Sequence, residues 1–263
     1  MTNSEKESLQ KRVIELCSDC TRRSFPRFFG FLTPEEQAEA RLTASSYPDV
    51  FLLAFGVFEE AERVVLGFFP SDVYLRPEEG GDMDQYREWA QVKAVEIKGS
   101  GYRSFSHRDI LGTMMSLGVK RETVGDIRLT DDAHTAYAAV SESVADYLAA
   151  AMERVANDRV HTSVIEEKRL PKFEQRFEDL SVTLSSVRID ALVAEIAKCS
   201  RDKAKGLISA GKVSLNHTPV LSCDKAFAEG DTVTVAGTGK FRVDAFLGLT
   251  AKERTRVVVR KYV

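Results

Sequence analysis

The pattern of apolar and polar positions between residues 188 and 231 predicts two short helices, a tight turn and a strand. In the first helix the apolar residues recur at i, i+3, i+4 and i+7, which is one face of an amphipathic helix. These residues are Ile189, Leu192, Val193 and Ile196. The second helix has a similar buried stripe, made of Ala204, Leu207 and Ile208.

Capping residues and cations define the second helix. Ser200 is suited to cap its first turn, and Gly211 lies where a left-handed residue commonly ends a helix. Arg201 and Lys205 are four residues apart, so they share one flank of the helix, and Lys212 follows at the turn. The sequence therefore predicts a ridge of positive charge beside a buried stripe.

Residues 1–76 have the pattern of a small α/β unit. Helical patterns run from Ser4 to Leu16 and from Thr33 to Ser45. Two apolar runs, 51–58 and 63–69, predict an antiparallel pair of strands.

The stretch 21–31 interleaves three arginines with four phenylalanines. Such a composition is typical of a surface that stacks bases and binds phosphate. It is also typical of phenylalanines in a core with arginines at the rim, and we favour this second interpretation.

Residues 77–170 predict six elements in the order strand, helix, strand, strand, helix, strand. Their ranges are 91–98, 107–117, 124–130, 134–140, 141–152 and 159–166. This βαββαβ order is typical of a ferredoxin-like or RRM-like layer, with two helices on one face of a four-stranded antiparallel sheet. The strand 134–140 offers only Tyr137 as an aromatic residue, so we do not expect the sheet to stack bases.

The remaining residues predict a linker and more strands. The charged, proline-containing stretch 168–179 lacks periodicity and predicts the linker. Alternating positions predict strands over 232–236, over 240–246 and along the tail 254–263. With a period of two, the tail arginines at 254, 256 and 260 share one face.

The length of 263 residues fits two or three domains, and we predict an α+β fold with domains 1–76, 77–170 and 181–263. The formal net charge of −3 is unevenly distributed. Residues 181–263 carry 14 Lys and Arg against 8 Asp and Glu, a net +6, whereas residues 1–180 carry 23 against 32, a net −9. A basic module on an acidic body is typical of a protein whose basic part contacts a polyanion; the alternative is a solvated basic face.

Several classes of protein are disfavoured by composition. No run of eighteen apolar residues exists, and the polar N-terminus does not resemble a secretory signal, so we expect a cytoplasmic protein without membrane partners. Cys17 and Cys20 form a CxxC, but no second pair of ligands follows, and a zinc site needs four. We therefore expect neither a metal nor a cofactor.

Residues at fixed spacings near the C-terminus resemble the S4-type RNA-binding domain. They are Arg188 with Asp190, Ser200 with Arg201, Gly211-Lys212-Val213 with Asn216, and Glu229-Gly230-Asp231. A second group of residues narrows the resemblance from a type of domain to a family. It consists of the stretch 106–127 and the motif Gly237-x-Gly239-Lys240-Phe241-Arg242. With both groups the chain is similar to the bacterial YlmH-type S4-domain proteins over most of residues 50–263.

This resemblance implies an S4-type αL fold for residues 181–263, with RNA-contacting or turn-defining roles for six of them. The six are Arg188, Ser200, Arg201, Lys205, Lys212 and Asn216. We also predict that Lys240 and Arg242 bind RNA. Two residues depart from the family pattern. Gly206 stands where a second basic residue is common, and His217 replaces the usual glycine after the asparagine.

The resemblance also implies a function. A YlmH-type protein is expected to bind structured RNA, both rRNA and tRNA, on the large ribosomal subunit, and to act in ribosome quality control by rescue of stalled peptidyl-tRNA. We expect a monomer that does not bind DNA and is not an enzyme. Two alternatives stay open, an RNA-modifying enzyme with an accessory S4-type domain and a scaffold linked to cell division.

A candidate second RNA patch lies in the central region and consists of Arg108, Lys120 and Arg121. Solvated surface is the alternative for these cations. His107 and Asp109 lie beside them, but a histidine at a helix start is more often a cap or a surface residue than a general base. We therefore do not expect catalysis there.

Overall fold

The computed structural model describes residues 1–173, 177–250 and 253–262. The chain forms two compact units, Met1–Phe173 and Glu174–Val263. Within the described ranges, none of the helices has the length and apolar character needed to cross a membrane.

The first unit begins with a helical layer on a three-stranded sheet. Its elements are α1 (Asn3–Arg23), β1 (Arg27–Leu32), α2 (Pro34–Ala44), β2 (Val50–Phe55) and β3 (Val64–Pro70). The sheet is antiparallel in the order β1-β3-β2, which confirms the predicted pair of strands and adds β1 to it. α1 extends beyond the predicted end at Leu16 because Cys17 and Cys20 continue its buried face.

Strand β1, which was not predicted, places most of the phenylalanines of the stretch 21–31 in the core. Phe31 is buried, and Phe28 and Phe29 are half-buried against the neighbouring core. Phe25 is different, because 49% of it is exposed. The core interpretation therefore holds for three of the four phenylalanines.

A second sheet follows in the same unit. Its elements are α3 (Met83–Ala90), β4 (Val92–Gly99), α4 (His107–Ser116), β5 (Val124–Leu129), β6 (Thr135–Ser141), α5 (Glu142–Ala151), β7 (Arg154–Val155) and β8 (Asp158–Ile165). All six predicted elements are present, and the antiparallel order is β5-β6-β4-β8-β7. One face packs against α4 and α5 through residues such as Ile97, Ala138, Ile110 and Leu148.

The other face of this sheet is partly covered by residues from the first sheet and from the segment after β8. Tyr137, Ala94 and Ile165 share a core with Phe31 and Phe173. A continuous core therefore crosses the boundary predicted at residue 76. The predicted separation of 1–76 from 77–170 stays a prediction.

The second unit packs two helices on a six-stranded antiparallel sheet. Its elements are β9 (Phe177–Leu184), α6 (Ile189–Ile196), α7 (Arg201–Ser209), β10 (Val213–Leu215), β11 (Thr218–Pro219), β12 (Thr232–Val235), β13 (Gly239–Leu249) and β14 (Thr255–Tyr262). The strand order is β11-β10-β12-β13-β14-β9. Both predicted helices are present, and their apolar stripes pack against the inward residues of the sheet, such as Val243 and Val259.

The structure corrects two details of this region. The predicted linker 168–179 is wrong from Phe177 onward, because that residue starts β9, which pairs with β14 from Phe177–Tyr262 to Leu184–Thr255. Residues 174–176 of that linker lie outside the described residues. Arg254 precedes β14 and does not share the strand face of Arg256 and Arg260; its Nη2 donates to the Thr183 carbonyl at 2.7 Å.

Candidate nucleic-acid interface

A buried carboxylate organises two of the predicted RNA-contacting arginines. Asp190 is 1% exposed and lies in the first turn of α6. Its Oδ1 is 3.3 Å from Arg188 Nε, and its Oδ2 is 3.3 Å from Arg201 Nε. Oδ1 also accepts the Ala191 N–H at 2.9 Å. Because two cations and a backbone donor surround the carboxylate, its burial is compensated.

The two arginines stay accessible to a ligand. Their side chains are 43% and 44% exposed for Arg188 and Arg201 respectively. Arg201 Nη2 also donates to Ser186 Oγ at 3.0 Å, which restricts the guanidinium further. A guanidinium has five N–H donors in a planar fork, so donors remain for the oxygens of a phosphate. Asp190 therefore presents two oriented cations at the surface.

The remaining cations of this side extend along and beyond α7. Ser200 is the N-cap of the helix, and its Oγ accepts the Lys203 N–H at 3.3 Å. Lys205 Nζ is 3.8 Å from Asp202 Oδ1, but both side chains are largely exposed, so the pair is weak. Lys212 is exposed and follows the end of α7. We call Arg188, Arg201, Lys205 and Lys212 the helix-side ridge.

Asn216 has a structural position in the β10–β11 hairpin. It and His217 form the two-residue loop, with φ of 50° and 66°. Two successive left-handed residues are what a tight type I′ hairpin turn requires. Asn216 Nδ2 donates to Asp231 Oδ1 at 2.7 Å, and its Oδ1 accepts the Thr232 N–H at 2.9 Å. Of the two roles implied for Asn216, the structure shows the turn-defining one.

Lys240 and Arg242 lie on the opposite face of the sheet from the helices. Their neighbours Phe241 and Val243 point into the core beneath α6 and α7, and side chains alternate along a strand. Lys240 Nζ lies 4.6 Å from the centre of the Tyr262 ring. The structure therefore divides the eight predicted RNA-binding residues of this region between two faces of one unit. We call Lys240, Arg242, Arg260, Tyr262 and Phe177 the sheet-side patch.

The three residues of the candidate second RNA patch, Arg108, Lys120 and Arg121, differ in exposure. Arg108 and Lys120 are exposed, but Arg121 is half-buried, and its Nη1 donates to the Val124 carbonyl. Burial lowers the pKa of Arg121. Arg121 therefore stabilises the local backbone, whereas Arg108 and Lys120 are placed to meet an anion.

The structure gives Asp109 a role in folding. Its Oδ2 accepts hydrogen bonds from the backbone N–H and the hydroxyl of Ser106 at 2.9 and 2.7 Å, and this capping box starts α4. Burial, followed by the nearby charge of Arg121, lowers the pKa of His107. The Asp109 carboxylate is thus engaged with Ser106.

Tyr137 does not form a stacking platform. It is 8% exposed, its ring packs edge-on against Phe173 at 5.7 Å, and its hydroxyl donates to Glu96 Oε1 at 2.9 Å. The sequence-based expectation for this sheet agrees with that burial.

The two cysteines of α1, Cys17 and Cys20, are buried in the core. Burial raises the pKa of Cys17 to about 11 and that of Cys20 to about 12. Cys20 Sγ donates to the Phe68 carbonyl at 3.3 Å. In the described part of the chain, no three His, Cys, Asp or Glu side chains converge in a way that suits a metal ion.

Asp190 belongs to a motif in the sequence, but the sequence alone gives it no specific role. An acid in the first turn of a helix is ordinarily explained by the helix dipole. The signal that distinguishes Asp190 is its place among apolar neighbours, since Ile189, Ala191 and Leu192 are all buried. A carboxylate there requires nearby cations.

One family model and one curated protein show what this chain is similar to in sequence. A family model described as "Putative RNA-binding domain in YlmH" matches residues 87–169. The "Ribosome-associated protein quality control protein P2" of Bacillus subtilis is 29% identical over 234 residues, which cover 88% of this chain and 85% of that protein. The predicted YlmH-type resemblance is confirmed.

A solved YlmH structure supports the fold. The "Cell division protein ylmH from Streptococcus pneumoniae" matches with a TM-score of 0.51 and 13% identity, covering 64% of this chain and 95% of that one. At that identity the likeness shows the fold alone. The family model itself covers Arg108, Lys120 and Arg121, whereas the helix-side ridge and the sheet-side patch lie beyond its end.

Proposed function

We propose that this YlmH-type protein is a non-catalytic RNA-binding factor that associates with the ribosome in the cytoplasm. The observation that carries the proposal is the pair of half-exposed arginines held by the buried Asp190. Ion pairs to a buried acid restrict the guanidiniums before a ligand arrives, which reduces the entropy lost on binding. The match of residues 87–169 to a model of an RNA-binding domain supports the same class of ligand.

The proposal extends to the folds of the domains. Residues 92–165 have the element order and the strand order of an RRM-like layer, and we assign them to that fold. We assign residues 181–262 to the S4 type, because two helices with a cationic flank precede a hairpin and further antiparallel strands.

The RNA is proposed to be structured rRNA or tRNA. Arginine and lysine contacts to phosphates position a protein on RNA without reading bases, so the shape of the folded RNA supplies selectivity. The Bacillus subtilis relative is named for ribosome-associated quality control. We therefore propose action on the large subunit at stalled peptidyl-tRNA, as a monomer that contacts neither DNA nor a membrane.

Cross-linking of the full chain to RNA in cells, combined with sucrose gradients, tests this function. We expect rRNA and tRNA to be enriched and the protein to sediment with large subunits. The variant Arg201→Gln/Lys205→Gln should lose most of this signal, whereas Lys11→Gln/Arg12→Gln, which removes the same charge from α1, should retain it. Absence of cross-linked RNA with retained protein contacts would instead support a cell-division scaffold, and turnover of a bound RNA would support an enzyme.

A further inference from the structure

We propose that the sheet-side patch binds an unpaired RNA strand at a site separate from the helix-side ridge. This inference rests on the proposed function, because it assumes that residues 177–262 contact RNA. It adds a second RNA surface on the opposite face of the same sheet, with a different class of RNA as its ligand.

The register of the strands brings the five side chains of the patch into two adjacent rows. Arg242 pairs with Arg260 across β13 and β14, and Tyr262 pairs with Phe177 across β14 and β9. Lys240 Nζ stands 4.6 Å from the centre of the Tyr262 ring, on the strand that also carries Arg242. The inward-facing residues of these strands fill the core, so the patch lies on the outer face.

The patch carries excess positive charge. Arg260 is neutralised by Asp179 and Asp244, each at 3.1 Å. Arg242 is exposed and has no ion pair with any described residue, although it lies directly opposite Arg260. Because Asp179 and Asp244 compensate Arg260, the charge of Arg242 is the one in this row that is left for a ligand. A phosphate beside Arg242 would pair with it, which is the charge complementarity expected of an RNA site.

Aromatic rings beside these cations indicate which form of RNA fits. The rings of Phe177 and Tyr262 meet edge to face at 5.0 Å, and Arg260 lies over Phe177 at 5.9 Å. Phe177 is 37% exposed and Tyr262 is half-buried. Partly accessible rings next to cations can stack the bases of single strands, whereas bases within a duplex are not accessible to them.

The helix-side ridge has the opposite character. Its cations are arginines and lysines without an aromatic residue among them, and they lie at the N-cap of α6, along α7 and just past the end of α7. This arrangement suits the phosphates of a folded, base-paired RNA. The two faces of the unit are therefore complementary to two RNA segments of different structure.

Binding of two fluorescent RNAs to the full chain tests the inference. The probes are an oligouridylate of about 12 nucleotides, which lies within the length that one single-strand site covers, and a fully paired hairpin, both measured by anisotropy at one salt concentration. We expect Tyr262→Leu to weaken oligouridylate binding by at least about fivefold, since stacking on an aromatic ring is removed, and Tyr262→Phe to retain it. Arg242→Gln should weaken it too, while both variants bind the hairpin as the wild type does.

A matched control separates this effect from net charge. Arg256→Gln removes one exposed charge from the same face of β14, away from the aromatic rings. If Tyr262→Leu and Arg242→Gln bind the oligouridylate no more weakly than Arg256→Gln does, the patch is not a site. The inference also fails if Arg201→Gln/Lys205→Gln stops binding both probes together, because one surface then binds both.

Different results would contradict the second RNA surface and the proposed function. A wild-type chain that binds the hairpin but not the oligouridylate contradicts the second surface and leaves the proposed function standing. A wild-type chain that binds neither probe contradicts the proposed function itself.

Discussion

Asp190 Oδ2 lies 3.3 Å from Arg201 Nε, and this ion pair joins the first turn of α6 to the first turn of α7. Arg188 approaches the same carboxylate from its other oxygen, also at 3.3 Å. One buried acid thus fixes the positions of two surface cations. Asp190 therefore favours the binding of a polyanion although it is negatively charged itself, because it orients Arg188 and Arg201.

The first prediction concerns Asp190→Asn. Removing an acid from an RNA-binding surface ordinarily increases affinity, but here we expect RNA affinity to fall by about threefold to tenfold because both arginines lose their orientation. The free energy of unfolding should fall by about 1–3 kcal/mol, since charge-assisted hydrogen bonds are removed. Anisotropy with the hairpin RNA and urea unfolding measure the two effects.

Asp202→Asn is the matched control. Asp202 likewise lies in the first turn of a helix, α7, but its side chain is 96% exposed and lies near Lys205. Its removal should leave RNA affinity unchanged or slightly increase it. If Asp190→Asn tightens RNA binding as well, the carboxylate does not orient the arginines.

A second prediction concerns the attachment of the first sheet to the second. Arg63 Nη2 donates to the Phe31 carbonyl at 2.7 Å and Arg63 Nε to the Val124 carbonyl at 3.1 Å. Its own N–H and that of Glu62 donate to the Asp126 carboxylate at 3.0 and 2.7 Å. Arg63→Met should destabilise the unit by about 2–4 kcal/mol, because the Phe31 carbonyl loses this donor and the Val124 carbonyl keeps the donor from Arg121 but loses the one from Arg63.

Urea unfolding of Arg63→Met also tests the boundary predicted at residue 76. If residues 1–173 fold as one cooperative unit, the variant unfolds in one transition at lower urea. Two separated transitions would favour independent domains at 1–76 and 77–170.

The third prediction distinguishes the members of the central patch. Arg108→Gln/Lys120→Gln should weaken RNA binding without loss of stability, because both side chains are exposed. Arg121→Gln should lower the free energy of unfolding by about 1–2 kcal/mol, since its hydrogen bond to the Val124 carbonyl is removed. Equal RNA binding by wild type and Arg108→Gln/Lys120→Gln, measured at low salt, would remove this patch from the interface.

The fourth prediction concerns the buried thiols. With a pKa of about 11 for Cys17 and about 12 for Cys20, both thiols are protonated at a pH of about 8. Iodoacetamide at that pH should modify Cys199 and Cys223, which are half-buried, well before the α1 cysteines. Rapid modification of Cys17 in the folded chain would contradict its burial.

The same pKa shifts give a pH dependence of stability. The unfolded thiols ionise near a pH of about 8.5, whereas the folded ones do so only at higher pH. The stabilisation by neutral buried thiols is therefore complete below the unfolded pKa and decreases as pH rises toward the folded pKa. Urea unfolding at a pH of about 8 and again at about 10 should show less of this decrease in Cys17→Ala than in the wild type.

The six predicted elements of residues 91–166 agree with the structure to within one or two residues, but the short strand β7, which adds a fifth strand to the predicted four, was not predicted. Their helices have clear starts and ends, such as the Ser106 cap and Gly118 with a φ of 83°. Their strands alternate between a helix-packed face and a second face. Local sequence carries both of these signals.

Strand β1 could not be predicted in the same way. Phe29 and Leu32 pack toward α1 and α2, and Phe28 and Phe31 pack toward the second sheet. A strand covered on both faces does not alternate, so its pattern is ambiguous. β9 could not be predicted for another reason. Its partner β14 lies more than seventy residues away in the sequence, so no local pattern indicates that pairing.

The candidate site could also be predicted only in part. Spacing and the family resemblance identify the cations, because those signals are local. The division between helix side and sheet side depends on which strand face Lys240 and Arg242 occupy, and the role of Asp190 depends on α6 and α7 packing together. Both are properties of tertiary structure.

The salt dependence of RNA binding tests the helix-side ridge most directly. For each phosphate that Arg201→Gln/Lys205→Gln no longer neutralises, we expect the slope of log Kobs against log salt concentration to decrease in magnitude by about 0.7–0.9. The control Lys11→Gln/Arg12→Gln should keep the wild-type slope. A slope unchanged by Arg201→Gln/Lys205→Gln would contradict the assignment of these residues to phosphate binding.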